Sequence, residues 1–188
     1  GLLLRRIGYR GRIVSFEPVS ANHRALAERA ARDPDWQHHA LALGAADAEQ
    51  TINLTRHSVF DSFLSPTDYS LQQFGGDSEV IGSEVVQVRR LDDLIDTCTA
   101  GLEQPRIFLK LDTQGYDGEV LSGASACLPH MLGLQTELSV KPVYGGMSTY
   151  LDVLPRIQAL GFEVSGMFPV NRDGALRVVE FDCIAVRA

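Results

Sequence analysis

Apolar residues along this chain follow two alternating patterns, short continuous runs and stripes with helical spacing. The runs are typical of buried strands and lie at residues 12–16, 38–43, 84–89, 107–111 and 131–138. The stripes predict helices and lie at residues 20–30, from 91 onward, after 115 to about 128, and 149–160. Strands that alternate with helices predict a mostly parallel sheet covered on both faces, which is an α/β fold.

The C-terminal end of the chain has a different pattern. Residues 162–170 and 178–186 read as two strands around the turn Asn171-Arg172-Asp173-Gly174. Strands joined by a tight turn must be antiparallel. The sequence therefore predicts a doubly wound sheet whose C-terminal end is an antiparallel strand pair.

Residues 57–83 interrupt the alternation of strands and helices. They hold serine, aspartate, glycine and scattered aromatic residues, and they predict a long loop in which one helical turn can form. A loop of this length in a compact domain is usually a lid or a binding loop. Elsewhere the chain has no repeat and no linker. We therefore interpret residues 1–188 as a single domain with a lid at residues 57–83.

Composition narrows the classes of function. The chain has 188 residues, of which 45% are hydrophobic and 22% charged, as in an ordinary globular domain. Its net charge of −7 argues against a nucleic-acid-binding surface, and no apolar run reaches the length of a membrane span. Cys98, Cys127 and Cys183 are far apart in apolar surroundings. Such residues are typical of buried free thiols, so we expect a cytoplasmic protein.

The ends of the predicted strands hold the candidate chemistry, because ligands of open α/β sheets bind outside the carboxyl ends of the strands. Glu17 and Pro18 follow the first strand. A carboxylate there can bind a ribose diol, or it can simply be a solvated acid before a helix. The small residues from Gly44 to Asp47 follow the second strand. They can admit an adenine ring or form an ordinary turn.

A second group of polar residues lies at the next two strand ends. Asp112 follows the strand 107–111, where it can act on a reacting group or cap the following helix. Lys110 is a further catalytic candidate, but it shares a face with Asp112 at a period of two, so the two side chains are also able simply to pair. Gln114 and Glu137 are candidates for substrate binding. The convergence of these four residues is stronger evidence than any one of them.

Two further possibilities concern His57 and metal ions. His57 lies in the predicted lid and is a second candidate for a base. The pair His38-His39 lies inside a strand and matches no zinc spacing, so we expect no metal site. A divalent ion held by Asp112 and Glu137 is the alternative to a side-chain base.

Several segments in this order resemble the FkbM family of methyltransferases over nearly the whole chain. They are GRIVSFEPVSANHRAL, ALALGAADAEQTINL, VRRLDDLI, FLKLDTQGYDGEVLSGA, LQTELSVKPVYGG and the C-terminal GFEVSGMFPVNRDG and VVEFDCIAVR. The resemblance implies the class I methyltransferase fold, which is Rossmann-like with seven strands. It also implies a transferase that uses S-adenosyl-L-methionine to methylate a hydroxyl of a sugar or secondary metabolite.

The resemblance also implies roles for individual residues. Glu17, next to Pro18, would bind the ribose of the cofactor. The loop from Leu43 through Gly44 to Asp47 would lie near adenine, and Asp112 would lie beside the methyl-transfer centre. The family often has glutamate where this chain has Gln114 and Asp117.

One family motif is absent, the glycine-rich loop of the form D-x-G-A-N-x-G after the first strand. Without that strand the expected sheet would have a gap. We therefore expect the sequence to be truncated at its N-terminal side, with residues 1–7 as the tail of the first helix.

The mechanism implied is a direct transfer in which the enzyme aligns a small-molecule or glycan acceptor and Asp112 or His57 accepts its proton. Two alternatives stay open. One is a non-catalytic α/β binding module that has lost the cofactor site. The other is a nucleotide-dependent oxidoreductase, which the missing G-x-G-x-x-G motif disfavours.

Overall fold

The computed structural model describes residues 1–187, which contain six helices and nine strands. The helices are α1 (Leu2–Arg6), α2 (Ser20–Ala30), α3 (Asp68–Phe74), α4 (Leu91–Thr99), α5 (Asp117–Gly123) and α6 (Tyr150–Ala159). The strands are β1 (Ile13–Phe16), β2 (Trp36–His39), β3 (Ala42–Leu43), β4 (Ala48–Thr55), β5 (Val80–Arg89), β6 (Phe108–Lys110), β7 (Gly133–Ser139), β8 (Glu163–Arg172) and β9 (Val178–Val186). Single 3-10 turns lie at Ser58–Phe60, Gly75–Ser78 and Leu128–His130.

The α/β class is confirmed, but the strands form three mixed or short sheets rather than one mostly parallel sheet. Their orders are β1-β2, β3-β5-β4 and β6-β7-β9-β8. The parallel pairs are β1/β2, β3/β5 and β6/β7, and the antiparallel pairs are β4/β5, β7/β9 and β8/β9. The predicted C-terminal antiparallel pair is therefore present, with β9 inserted between β7 and β8. Within the described residues, β1 and β6 are edge strands of different sheets.

The main core lies between one face of the β6-β7-β9-β8 sheet and helices α5 and α6. Leu134 and Leu138 of β7 alternate with polar residues and point into this core, where Ala185 of β9 is also fully buried. Ile157 of α6 and Leu121 of α5 cover them. This packing fixes the carboxyl ends of β6 and β7, and therefore the loops that follow them, relative to α5.

The prediction of a loop at residues 57–83 was wrong in its local structure. The segment contains α3 and two 3-10 turns, and β5 begins at Val80 rather than at residue 84. Thr67 caps α3 by accepting a hydrogen bond from the Ser70 backbone N–H at 3.1 Å. Tyr69 and Phe74 pack in an apolar cluster with Val143, Tyr144 and Val179. The apolar residues of this segment looked scattered because they pack against a distant part of the chain.

Smaller differences concern where elements end. Helix α5 ends at Gly123 rather than near residue 128, and β2 begins at Trp36 and stops at His39. The predicted buried free thiols are confirmed, since all three cysteines are buried and unpaired. Among residues 1–187, no helix combines the length and apolar character needed to cross a membrane.

Candidate functional site

Glu17 occupies the carboxyl end of β1, where the chain turns into α2. Its backbone N–H donates to the His39 carbonyl at 3.0 Å and continues the β1–β2 pairing. Its side-chain Oε1 accepts from the Val19 N–H at 3.0 Å, across Pro18, which has no N–H to offer. Burial raises the pKa of Glu17 above its ordinary value, since desolvation disfavours the charged carboxylate.

A cavity of about 710 Å³ brings Glu17 and Asp112 together, although they follow strands of different sheets. The cavity is also lined by Ser15 and Phe16 of β1, by Asn22 of α2, and by Gly1 together with the first residues of α1. The Phe16 ring stacks on His39 at 5.1 Å between centroids, which holds the orientation of Phe16 in the cavity wall.

The loop from Leu43 to Asp47 lies elsewhere. Leu43 is buried in the main core, and Gly44 is buried against α5, where a Cβ on Gly123 would collide with the Gly44 carbonyl. Asp47 pairs with Arg89 at 2.8 Å. None of these residues lines the cavity that holds Glu17. A Cβ on Gly44 would also collide with Val88 Cγ1 at 2.6 Å, so close packing explains the glycine at this position.

The pairing of Lys110 with Asp112 is confirmed, with 2.6 Å between Nζ and Oδ2. Both side chains are more than half exposed. The second carboxylate oxygen of Asp112 accepts from the Gln114 amide Nε2 at 3.3 Å. Asp112 does not cap the next helix, because α5 begins at Asp117 with Tyr116 as its N-cap.

Gln114 connects Asp112 to the buried residue Tyr144, which sequence analysis missed. The Tyr144 hydroxyl donates to Gln114 Oε1 at 2.8 Å, and the Ser62 hydroxyl donates to the Gln114 carbonyl at 2.7 Å. Tyr144 is only 1% exposed. No local pattern marks Tyr144, because its partners lie in other parts of the chain.

Asp117 is a second residue that sequence analysis did not identify as important. It is buried at the start of α5 and accepts hydrogen bonds from the Thr113 N–H and hydroxyl, the Thr136 hydroxyl and the Glu137 N–H. Burial raises its pKa, and these donors oppose that shift. Asp117 therefore ties the loop after β6 to β7.

Lys110 is opposite Gln135 in the parallel β6–β7 pair. Two residues further along both strands, the same register places Glu137 beside Asp112. On the other side it faces Asp182 of β9. Burial, followed by the nearby charge of Glu180, raises the pKa of Glu137 to about 8. Glu180 is itself buried and accepts from Ser139 Oγ and Asn171 Nδ2, each at 2.9 Å. The carboxyl group of Glu137 is thus partly protonated near neutral pH.

His57 is exposed at the start of the first 3-10 turn. Its backbone is hydrogen-bonded, but within residues 1–187 its imidazole makes no hydrogen bond or ion pair, and it does not line the cavity. In the same described range, no three His, Cys, Asp or Glu residues lie close enough together to hold a metal ion. Glu17 and Asp112 therefore line one cavity, and Lys110 and Gln114 contact Asp112. Glu137 and His57 do not line that cavity.

Comparisons with known proteins agree with this architecture. The family model described as the methyltransferase FkbM domain matches residues 2–164. A crystal structure of methyltransferase FkbM from Methylobacillus flagellatus KT is similar in fold, with a TM-score of 0.54 and 16% sequence identity. That match covers 98% of this chain but 39% of the other, so the chain spans about two fifths of the length of the solved protein. No curated protein gives a significant match.

The structural likeness, at 16% identity, shows the fold alone. The family-model match is more informative, because it extends over most of the chain and includes β1 with Glu17, β6 with Lys110, and β7 with Glu137. The chain therefore belongs to the FkbM methyltransferase domain family.

Proposed function

We propose that this chain carries an S-adenosylmethionine-dependent methyl-transfer site that acts on a hydroxyl of a sugar or secondary metabolite. The observation that supports the proposal is the single cavity lined by both Glu17 and Asp112. These are the two residues for which strand-end position and family resemblance suggest ribose binding and a place beside the transfer centre. S-adenosylmethionine, when bound, supplies a methyl group on a positively charged sulfur.

The residues around the cavity fit such a group. Glu17 is desolvated and one of its oxygens is held by the Val19 N–H, so the carboxylate is oriented before a ligand arrives. A ribose diol would offer two hydroxyl donors, which would offset the cost of burying the charge. Phe16 contributes an aromatic ring to the cavity lining, which is suited to an aromatic base.

The residues at the carboxyl ends of β6 and β7 are assigned to the acceptor. In this proposal Asp112, held by Lys110 and Gln114, accepts the proton of the acceptor hydroxyl. The raised pKa of Glu137 favours its protonated form, which is able to donate a hydrogen bond to an acceptor oxygen. Asp112 is preferred to His57 as the base because the His57 imidazole lies outside the cavity.

The segment 57–79 is proposed to cover the acceptor, since Ser62 bonds to Gln114 beside Asp112. Val59 and Leu71 are exposed on this segment. Replacing both by aspartate is expected to lower methylation of an acceptor while the affinity for S-adenosylhomocysteine stays unchanged. Loss of both properties in a folded variant would contradict the assignment.

Calorimetric titration of S-adenosylhomocysteine into the full-length protein tests the proposal. We expect binding that Glu17→Ala weakens by about ten-fold or more, since a charged hydrogen-bonding partner of the ribose is lost. Glu163→Ala is the matched control, because Glu163 is exposed on β8 and does not line the cavity. Incubation with methyl-labelled S-adenosylmethionine and neutral hydroxyl compounds then identifies the acceptor.

The competing function is a non-catalytic α/β binding module. This alternative is favoured by the loop from Leu43 to Asp47, which packs against α5 and does not line the cavity. A well-folded full-length protein that binds no S-adenosylhomocysteine would support this alternative and refute the methyltransferase proposal.

A further inference from the structure

The backbone of Gln114 adopts an unusual conformation beside the proposed base. Its φ angle is 50°, in the left-handed region that residues other than glycine rarely occupy. The Ser62 hydroxyl, which is buried, donates to its carbonyl at 2.7 Å. Such a conformation costs about 1 kcal/mol or more and persists where surrounding contacts hold it. The position of the Gln114 side chain is therefore held by the fold.

The orientation of the Gln114 amide is set by Tyr144. The tyrosine hydroxyl donates to Oε1 at 2.8 Å, and burial raises the pKa of Tyr144, so the hydroxyl stays protonated. With Oε1 directed at the tyrosine, Nε2 faces Asp112 Oδ1 at 3.3 Å. The reverse orientation would place the amide oxygen against a carboxylate, which is repulsive.

The ion pair with Lys110 is not sufficient by itself to orient the carboxylate of Asp112. Lys110 and Asp112 are both more than half exposed, and an exposed ion pair holds its geometry weakly. Tyr144 is instead fully buried, in an apolar cluster with Val143 and Val179. The relay from Tyr144 through Gln114 therefore connects the exposed carboxylate to a rigid part of the molecule.

We propose that Tyr144 is a positioning residue for Asp112 and acts through the side-chain amide of Gln114. The inference rests on the proposed function, which places Asp112 beside the reacting group. It adds a residue that sequence analysis did not identify, and it explains why a fully buried tyrosine hydroxyl is directed at a surface loop. The same hydroxyl lies 3.3 Å from the Phe60 carbonyl, so the relay also contacts the segment 57–79.

Two ligands separate a positioning role from a purely structural one. Sinefungin carries an amine on the atom that replaces the methylated sulfur, whereas S-adenosylhomocysteine is uncharged there. An Asp112 carboxylate aimed at this centre favours the charged analogue. The ratio of the two dissociation constants therefore reports the position of Asp112, while a general loss of folding or of ribose binding changes both constants together.

The chain offers a matched control for Tyr144→Phe. Tyr69 belongs to the same apolar cluster, and within residues 1–187 its buried hydroxyl has no hydrogen-bond partner. We expect Tyr144→Phe to lower the preference for sinefungin by about three-fold or more, and Asp112→Asn to lower it at least as much. Tyr69→Phe should leave it unchanged. In a Gln114→Ala background, Tyr144→Phe should have no further effect on the ratio.

The titrations test the positioning role of Tyr144 separately from the proposed function. An unchanged ratio in Tyr144→Phe, or equal weakening of both ligands, would overturn the positioning role and leave the proposed function standing. If Asp112→Asn does not alter the ratio, Asp112 does not lie beside the transfer centre, and both the positioning role of Tyr144 and the proposed role of Asp112 fail. If neither ligand binds the folded, unsubstituted protein, the proposed function fails and the positioning role fails with it.

Discussion

The carbonyl oxygen of Gly44 lies so close to the α carbon of Gly123 that it would collide with any side chain at position 123. Gly44 follows β3, and Gly123 is the last residue of α5. The helix thus packs directly on the backbone of the loop. This close approach fixes the distance between α5 and the β3-β5-β4 sheet, and it explains why position 123 is glycine. A Cβ on Gly44 would instead collide with Val88 Cγ1 of β5 at 2.6 Å.

Gly123→Ala is therefore expected to destabilise the protein. The new methyl group would displace backbone rather than a flexible side chain, at a cost of about 2 to 3 kcal/mol. Gly118→Ala is the control within the same helix, since its Cβ would meet side-chain atoms at ordinary contact distances, Ser148 Oγ at 3.4 Å and Arg156 Nη1 at 4.0 Å. That variant should be neutral or slightly stabilising because alanine favours helix. Urea denaturation of the two variants measures both effects, and equal stabilities would contradict the packing argument.

Asp117 should contribute strongly to stability through its four donors. Asp117→Ala leaves the Glu137 N–H and the Thr136 hydroxyl without their acceptor, and we expect a loss of about 3 kcal/mol in the free energy of unfolding. Asp117→Asn should lose less, because its carbonyl can still accept from some of the donors. The exposed Glu119 lies on the same helix, and Glu119→Ala provides the reference. Thermal and urea unfolding of all three would test this order.

The stability of the protein should fall as the pH rises toward about 8. The pKa of Glu137 is about 8 in the folded protein, which is above its ordinary value. At a pH between the ordinary pKa and the folded pKa, the folded state therefore binds more protons than the unfolded state. The stabilisation is fully present below the ordinary pKa and is lost as the pH rises through the folded pKa. The charges of Glu180, Asp112, Asp117 and Asp182 add to the effect of burial.

Glu137→Gln removes this titration and should flatten the dependence of stability on pH. At pH 9 we expect the variant to be more stable than the unsubstituted protein by about 2 kcal/mol, since a charged carboxylate is no longer buried. Urea unfolding at pH 5, 7 and 9 gives the slopes. Parallel curves for the two proteins would show that Glu137 titrates normally.

The ion pair between Lys110 and Asp112 should contribute little to stability. Both side chains are more than half exposed, and exposed pairs typically contribute less than about 1 kcal/mol. Lys110→Ala is therefore expected to leave the melting temperature nearly unchanged at physiological salt. A large decrease in melting temperature would show instead that the pair is structural.

Residues near one another in the sequence were predicted well. The apolar runs identified β1, β7 and β9, and the turn at residues 171–174 identified the antiparallel C-terminal pair. The pairing of Lys110 with Asp112 also followed from a period of two. Each of these features depends on contacts or alternation within one element, which the order of residues records directly.

The segment 57–79 and the loop after β3 were predicted poorly for a common reason. The helix α3 is stabilised by packing of Tyr69 and Phe74 against Val143 and Val179, and these contacts leave no helical stripe in the segment itself. Gly44 likewise reads as an ordinary loop glycine until α5 is seen to pack on it.

The sequence by itself determined the α/β class, the family, and the presence of polar residues at the strand ends. Tertiary structure alone decided which of them meet. Glu17 and Asp112 line the same cavity although they follow strands of different sheets, while Asp117 and Tyr144 obtain partners 19 or more residues away. The period of a strand or helix reports which face is buried, but not which distant residue that face will contact.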